Sequence, residues 1–159
     1  MRRSVEAIFL VYEDHHPHVL MFQTNASCFR LPGGVLKPGQ DEIEGLKNCL
    51  NERLGPSNPE TQTSEENINW NVGECLSIWW RPNFANYCYP YLAPHVSRPK
   101  EQKKMFLVHL PDKQELFVPS NLKLVAVPLL ELYYNASRYG PEMSNIPQYL
   151  SRFTFYYAD

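Results

Sequence analysis

No charge of one sign dominates this chain: 15 lysines and arginines stand against 17 acids, a formal net charge of −2. That leaves no global field to steer a polyanion, so any nucleic acid must be met by a local site. The four cysteines, at 28, 49, 75 and 88, show no C-x-x-C spacing. This argues against a zinc module and a secreted disulfide framework, and a reducing compartment is expected. No apolar run approaches the roughly 20 residues needed to cross a bilayer. The run Ala7 to Val11 behind Arg2-Arg3 is too short for a signal-peptide core. No membrane partner is expected and the chain reads as soluble. The cluster His15-His16-Pro17-His18 falls in a polar turn between apolar runs and reads as solvated histidine, not a metal site. The tripeptides Asn25-Ala-Ser27 and Asn135-Ala-Ser137 carry no weight without a secretory route.

What is present is enough for one core. With 159 residues and 43% hydrophobic content, residues 1–159 are expected to form a single domain. Alternation over residues 3–12 and a second apolar run over 18–23 predict a hairpin around the polar turn. A third strand is expected from Cys28 to Leu31, ending at Pro32-Gly33-Gly34. Asp41-Glu42-Ile43-Glu44 has the D-x-x-E form of a capping box, and Ile43, Leu46, Leu50 and Leu54 recur at helical spacing before Gly55-Pro56. A helix from Asp41 to Leu54 with one apolar face follows. Residues 55–67 read as a loop. Strands are expected at Cys75–Trp80, Met105–Leu110 and Leu122–Val127, with short helices at Leu129–Tyr134 and Asn145–Phe153. The proline- and aromatic-rich segment 81–104 is long for an irregular connection in a compact domain, which marks it as functional or an interface. Strands interleaved with a few helices on a mixed sheet give an α/β or α+β sandwich.

The stretch Gly34-x5-Gln40-x7-Asn48-Cys49-Leu50-Asn51-Glu52-Arg53-Leu54-Gly55 resembles, without gaps, the Nudix box G-x5-E-x7-R-E-U-x-E-E-x-G-U. The resemblance implies a mixed β-sheet sandwiched between α-helices. It also implies an ancestral hydrolase of nucleoside diphosphate derivatives, in which three helix glutamates hold divalent cations. At i, i+3 and i+4 such carboxylates share one face and bring hard oxygens to Mg²⁺. Here the three positions are Cys49, Glu52 and Arg53. One carboxylate remains, and a permanent cation occupies the third place, where it repels a dication by about a few kcal/mol at intermediate dielectric. Glu42 returns to the azimuth of Cys49 but lies roughly 10 Å away along the axis. No metal, no cofactor and no catalytic residue are therefore expected, and Glu52 and Arg53 read as a local ion pair on a solvated face.

Beyond the box, Ser77-Ile-Trp-Trp-Arg-Pro-Asn-Phe84, Tyr89-Pro-Tyr91, Pro99-Lys-Glu101, Lys123-Leu-Val-Ala-Val-Pro-Leu129, Glu131-Leu-Tyr133, Tyr139-Gly-Pro141 and Leu150-Ser-Arg-Phe153 together resemble the small, Nudix-fold subunit of the pre-mRNA 3′-end processing factor, cleavage factor Im. The resemblance implies a nuclear protein without catalysis that binds single-stranded RNA containing UGUA. It implies a homodimer, a larger cleavage factor Im subunit with an RNA-recognition domain as partner, and poly(A) polymerase as a further candidate partner. Carried over, the RNA-binding residues are Glu6 as acceptor from base N–H groups, Ser27, Cys28 and Phe29 on the strand before the loop, and Leu31, Tyr139 and Gly140. Readers of single-stranded RNA stack splayed bases on rings and bond their edges. Where the family has a second aromatic residue, this chain has Cys28, and one lost stacking platform weakens binding by about 1 to 3 kcal/mol. The family also carries an N-terminal extension that ends where this chain starts, so weaker RNA binding is expected.

The same residues have structural readings. Phe29 and Leu31 suit a core as well as a ligand, whereas a carboxylate such as Glu6 in an apolar strand must be edge-exposed or paired. Trp79 and Trp80 point to opposite faces, leaving one of them for a partner to cover. Arg98, Lys100, Lys103 and Lys104 form a basic run, either a solvated turn or a contact to RNA phosphates. Two rival functions stand beside the reader: a hydrolase or sensor of dinucleoside polyphosphates using the same cleft, and an assembly platform that has lost RNA binding.

Overall fold

The structure, a computed structural model, describes residues 1–13, 16–25, 28–54, 70–83, 88–109, 122–133, 135–139 and 141–151; the side chains of Glu13, Asn25, Cys28, Arg53, Leu54, Ala136, Ser137 and Pro141 stand outside that description. In chain order the strands are β1 (Arg2–Glu13), β2 (His16–Asn25), β3 (Cys28–Arg30), β4 (Gly33–Val35), β5 (Asn71–Arg81), β6 (Glu101–His109) and β7 (Lys123–Pro128). The helices are α1 (Glu42–Leu54), α2 (Leu129–Leu132), α3 (Ala136–Tyr139), α4 (Pro141–Ser144) and α5 (Ile146–Leu150).

The long strand β1 changes partners halfway along one edge. Its first half pairs antiparallel with β4, Ser4 to Val35 through Glu6 to Gly33, and its second half pairs antiparallel with β2, Leu10 to Val19 through Glu13 to His16. Along its other edge it runs parallel to β6 from Arg2–Glu101 to Phe9–Val108. The sheet path is β3-β2-β1-β6-β5, with β7 also on β2, so the sheet is mixed as expected. The switch of partner on β1 leaves a gap between β4 and β2, and the site lies there.

Alternation along β1 divides the apolar side chains between two faces. Val5, Ala7 and Phe9 join Leu46 and Leu50 of α1 with Trp70 and Phe106 on one side. Ile8 joins Leu31, Trp79, Met105, Tyr139, Met143, Ile146 and Leu150 on the other, beneath α2 to α5. Helices thus cover both faces. The capping residue of α1 is the expected one: Asp41 Oδ2 accepts from the Glu44 amide at 3.2 Å. The buried stripe of that helix runs through Gly45, Leu46 and Leu50, with Cys49 half-buried beside it. It is rotated from the expected one, so Ile43 is 43% exposed. The Nudix-box Gln40 is structural, its Oε1 accepting from the Lys37 amide at 3.0 Å.

Several expected boundaries shift. The hairpin strands extend to Arg2–Glu13 and His16–Asn25, β3 stops at Arg30, and β5 and β6 begin earlier, at Asn71 and Glu101. The irregular excursion therefore ends by Lys100. Polar residues hid both starts, because paired edges and ion pairs satisfy them without an apolar pattern. Pro32-Gly33-Gly34 does not end the sheet: Gly33 and Gly34 open β4. The expected helices at 129–134 and 145–153 shrink to Leu129–Leu132 and Ile146–Leu150, while α3 and α4 were not anticipated; four-residue helices carry too little periodicity to read. The loop expected over 55–67 lies outside the described residues.

A side chain has no room at Gly33, where a Cβ would overlap the Val5 carbonyl oxygen and come within 2.8 Å of Glu6 Cα. Gly33→Ala is expected to destabilise the fold by about 2 kcal/mol or more by forcing β4 off β1. A denaturant midpoint equal to wild type would show that the strand pair yields freely.

Candidate functional site

A cleft of about 760 Å³ opens at the partner switch of β1, lined by residues of β1, β2, β3, β4, β6, α3 and α4. Glu6, Phe29, Leu31 and Tyr139, drawn from three separate parts of the sequence, all line it. Ser27 and Gly140 fall outside the described residues; Cys28 takes its place in β3, opposite Asn25. Leu31 is 5% exposed and Tyr139 is 7% exposed, so both form the apolar floor as much as its surface.

Glu6 is a mostly buried acid, its side chain 18% exposed. Its Oε1 lies 3.6 Å from Lys103 Nζ, while Oε2 is buried without a hydrogen-bond partner among the described residues. Lys103 Nζ is also 3.0 Å from Glu142 Oε2. Burial pushes the Glu6 carboxyl up to about 7; Lys103 counteracts this, and Glu142 and Glu101 add to it. Lys103 shows the opposite balance: burial works against its charge, but Glu6 and Glu142 outweigh it and hold its ammonium above the usual range. The two partners differ because the lysine faces two carboxylates whereas Glu6 shares one ammonium. Cys88, which no sequence pattern places here, is pushed up to about 11 by burial and by Glu142, toward which its thiol donates.

The aromatic wall is Phe29 against Tyr139, ring centroids 4.8 Å apart and tilted by 54°. The Arg138 guanidinium caps both rings at 5.6 and 5.5 Å. The Tyr139 hydroxyl donates to Glu131 Oε1 at 2.6 Å, and burial with that bond pushes it up to about 12. Phe29 remains partly exposed on this support, a rigid ring that a flat group can approach.

On α1 the box positions face different surroundings. Cys49 packs inward against β4: a Cβ on Gly34 would lie 2.8 Å from its Sγ. Glu52 is exposed. Glu42 is engaged elsewhere, with Lys104 Nζ at 2.6 Å and Arg3 Nη2 at 3.5 Å. Among the described residues no three His, Cys, Asp or Glu gather as a metal would require.

The basic run does not hold together as one patch. Lys103 and Lys104, adjacent on β6, point to opposite faces, the first into the cleft with Glu6 and Glu142, the second to Glu42 of α1. Arg98 and Lys100 instead line a second hollow of about 600 Å³ with Arg2, Trp80 and Leu92. Trp79 is the buried indole of the pair and Trp80 is half-buried. Two backbone bonds of 2.7 Å between Trp80 and Tyr89 fold the following segment back on β5, leaving Tyr89 and Tyr91 exposed with centroids 5.8 Å apart. Sequence reasoning placed Lys103 only in a basic run, as a solvated residue or a phosphate contact, and gave Glu142 no role. Only the period of two along β6 separates Lys103 from Lys104, and no sequence signal marks Glu142.

A family model described as nucleotide hydrolase, NUDIX_2, matches residues 1–153. Among solved structures, a C. elegans Ap4A hydrolase in a binary complex superposes with a TM-score of 0.61 at 15% identity, covering 95% of this chain and 96% of that one. The NUDIX domain of Shewanella oneidensis NrtR complexed with ADP ribose gives 0.53 at 14% identity, covering 92% and 84%. At such identity the likeness concerns the fold, and the fold is the Nudix fold. Nearer in sequence is the Arabidopsis thaliana pre-mRNA cleavage factor Im 25 kDa subunit 2, 52% identical over 155 residues, which are 98% of this chain and 75% of that protein. The Dictyostelium discoideum cleavage and polyadenylation specificity factor subunit 5 is 45% identical over 159 residues, 100% of this chain and 77% of that protein. The chain belongs to the Nudix-fold family of cleavage factor Im 25 kDa subunits.

The acid at the cleft has a consequence for stability. A Glu6 carboxyl raised from 4.5 to about 7 binds its proton more tightly folded than unfolded. Its stabilising contribution is full below about pH 4.5 and is lost as pH rises to about 7, a change of order 3 kcal/mol. Glu6→Gln is expected to remove this slope, so that its melting temperature gains on wild type as pH rises from about 4.5 to about 7 and then runs level with it. Parallel profiles would contradict the assignment.

Proposed function

We propose that this chain is a non-catalytic Nudix-fold RNA reader of the nuclear pre-mRNA 3′-end cleavage and polyadenylation machinery, recognising UGUA-type single-stranded RNA. The observation that carries the reading is the cleft itself. A carboxylate oxygen of Glu6 lies buried without a hydrogen-bond partner among the described residues, in the same cleft as the supported ring of Phe29, an acceptor and a stacking face of the kind that base recognition uses. Membership in the cleavage factor Im family supports it, as does the replacement of two box glutamates by Cys49 and Arg53. A cleft that reads base edges needs few cations, in keeping with a net charge of −2.

In this reading Ser27, Cys28 and Gly140 complete the RNA contacts of Glu6, Phe29, Leu31 and Tyr139, and the protein works as a homodimer. The exposed rings of Tyr89 and Tyr91, with half-buried Trp80 near them, form the surface offered to a larger subunit bearing an RNA-recognition domain. Poly(A) polymerase is a further partner.

Fluorescence anisotropy with a UGUA oligonucleotide and a scrambled control tests the proposal. The expected result is preference for UGUA, with Cys28→Phe raising affinity by about 5- to 150-fold as a stacking face is restored. Equal, weak binding to both, unchanged by Cys28→Phe, would leave only an assembly platform. Metal-dependent turnover of a dinucleoside polyphosphate, abolished by Glu52→Gln, would instead make the chain a hydrolase.

A further inference from the structure

One ammonium in the cleft wall serves two acids. Lys103 Nζ stands 3.0 Å from Glu142 Oε2 and 3.6 Å from Glu6 Oε1, and the second oxygen of Glu6 is buried without a hydrogen-bond partner among the described residues. The charged and titratable groups of the cleft come from several elements, among them Arg30 of β3 and Tyr139 of α3. From β6 come Lys103 and Glu101, the latter held by Ser4 Oγ at 2.7 Å and Arg81 Nε at 3.2 Å. From α4 comes Glu142, and from the segment after β5 comes Cys88. From β4 come Gly33, Gly34 and Val35, which carry nothing that titrates. The three carboxylates Glu6, Glu101 and Glu142 share two cations of low exposure, Lys103 and Arg81, which leaves this inner cluster one positive charge short; Arg30, the other cation lining the cleft, is exposed. The missing charge is met by a proton, or by the N–H donors of a ligand.

Glu6 is the acid on which that choice falls. Its Oε2 is buried with no hydrogen-bond partner among the described residues, and its distance to the shared ammonium is the longer of the two. Glu101 has a guanidinium and a hydroxyl of its own, and Glu142 takes the shorter bond to Lys103.

We propose that Lys103 and Glu142 are positioning residues for base reading: Lys103 holds one oxygen of Glu6, Glu142 draws that ammonium aside, and the free oxygen binds N–H-bearing base edges only while Glu6 is ionised. The inference rests on the RNA reading of the cleft. An ionised carboxylate accepts charge-assisted bonds from a base N–H, whereas a protonated one turns an O–H donor toward that N–H and loses the charge. Recognition of UGUA is then switched off by a single proton near neutrality, with no change of fold. The raised Glu6 carboxyl, at about 7, agrees with this geometry.

The test is the affinity for a UGUA oligonucleotide from about pH 5.5 to 8.5 at fixed ionic strength, with carboxyl-carbon NMR titration of Glu6 in the RNA-free protein alongside. Wild type is expected to lose about tenfold in affinity per pH unit below a midpoint near 7, and nothing above it. Glu142→Gln moves the midpoint down, because Lys103 then serves Glu6 alone, and Lys103→Gln moves it up; the NMR midpoints follow the same order. A merely structural role would weaken binding without moving the midpoint. Glu142 is 21% exposed and its amide replacement is conservative, so if Lys103→Gln does not fold, the Glu142→Gln shift decides alone. A pH-independent affinity, or the same midpoint in the variants as in wild type, overturns the proposal. Failure to distinguish UGUA from a scrambled control at any pH sinks the RNA reading and with it the base-reading role. The NMR order would still show separately whether Lys103 and Glu142 set the charge of Glu6.

Discussion

Lys103 joins β1, β6 and α4 through two carboxylates, and the arrangement of the cleft follows from that sharing. Ions taken out of water cost several kcal/mol each unless their partners compensate. The compensation here is uneven. Lys103 is over-supplied with negative charge and Glu6 is under-supplied with positive charge, so the lysine stays charged while the acid is left with an unmet valence. An acid kept in that condition has a stability cost, and the surrounding fold bears it through its two apolar clusters on the faces of the sheet.

The geometry that makes this possible is a strand with two different partners along one edge. β1 pairs with β4 at one end and β2 at the other, and the glycines of β4 let that strand press against Val5 and Glu6. The Nudix helix on the opposite face contributes packing: Leu46 and Leu50 are buried, Cys49 sits against Gly34, and Asn51 Oδ1 accepts from Trp70 Nε1 at 3.0 Å. A thiol and an amide of this helix, Cys49 and Asn51, are thus in structural use. The acids of the cleft, Glu6 and Glu142, meet at Lys103 on the other face of the sheet.

How much of this the sequence revealed depends on the kind of signal. The hairpin, α1 with its Asp41 cap, and the alternation of strands with helices were legible because they repeat at periods of 2 or 3.6. Strand β4 was hidden because two glycines read as a turn; their use is close backbone approach, which only the partner strand makes visible. The short helices α3 and α4 hold Tyr139 and Glu142 but are too brief for any period to emerge. Of the cleft, Glu6, Phe29, Leu31 and Tyr139 came from family resemblance, and the fold brings these four together. Lys103 and Lys104 looked alike in sequence and proved opposite in role, since adjacent strand residues face opposite ways. Glu142 had no signal at all, because its meaning lies in a lysine 39 residues away.

The central claim is that a buried carboxylate, and not a metal ion, meets the ligand in this cleft. A crystal structure of the protein with a UGUA oligonucleotide, grown in Mn²⁺ and read by anomalous scattering, tests it most directly. The account predicts a base N–H within hydrogen-bonding distance of Glu6 Oε2, a base stacked on Phe29, and no manganese peak at Cys49 or Glu52. Manganese bound at Glu52 with a diphosphate in the cleft would contradict it.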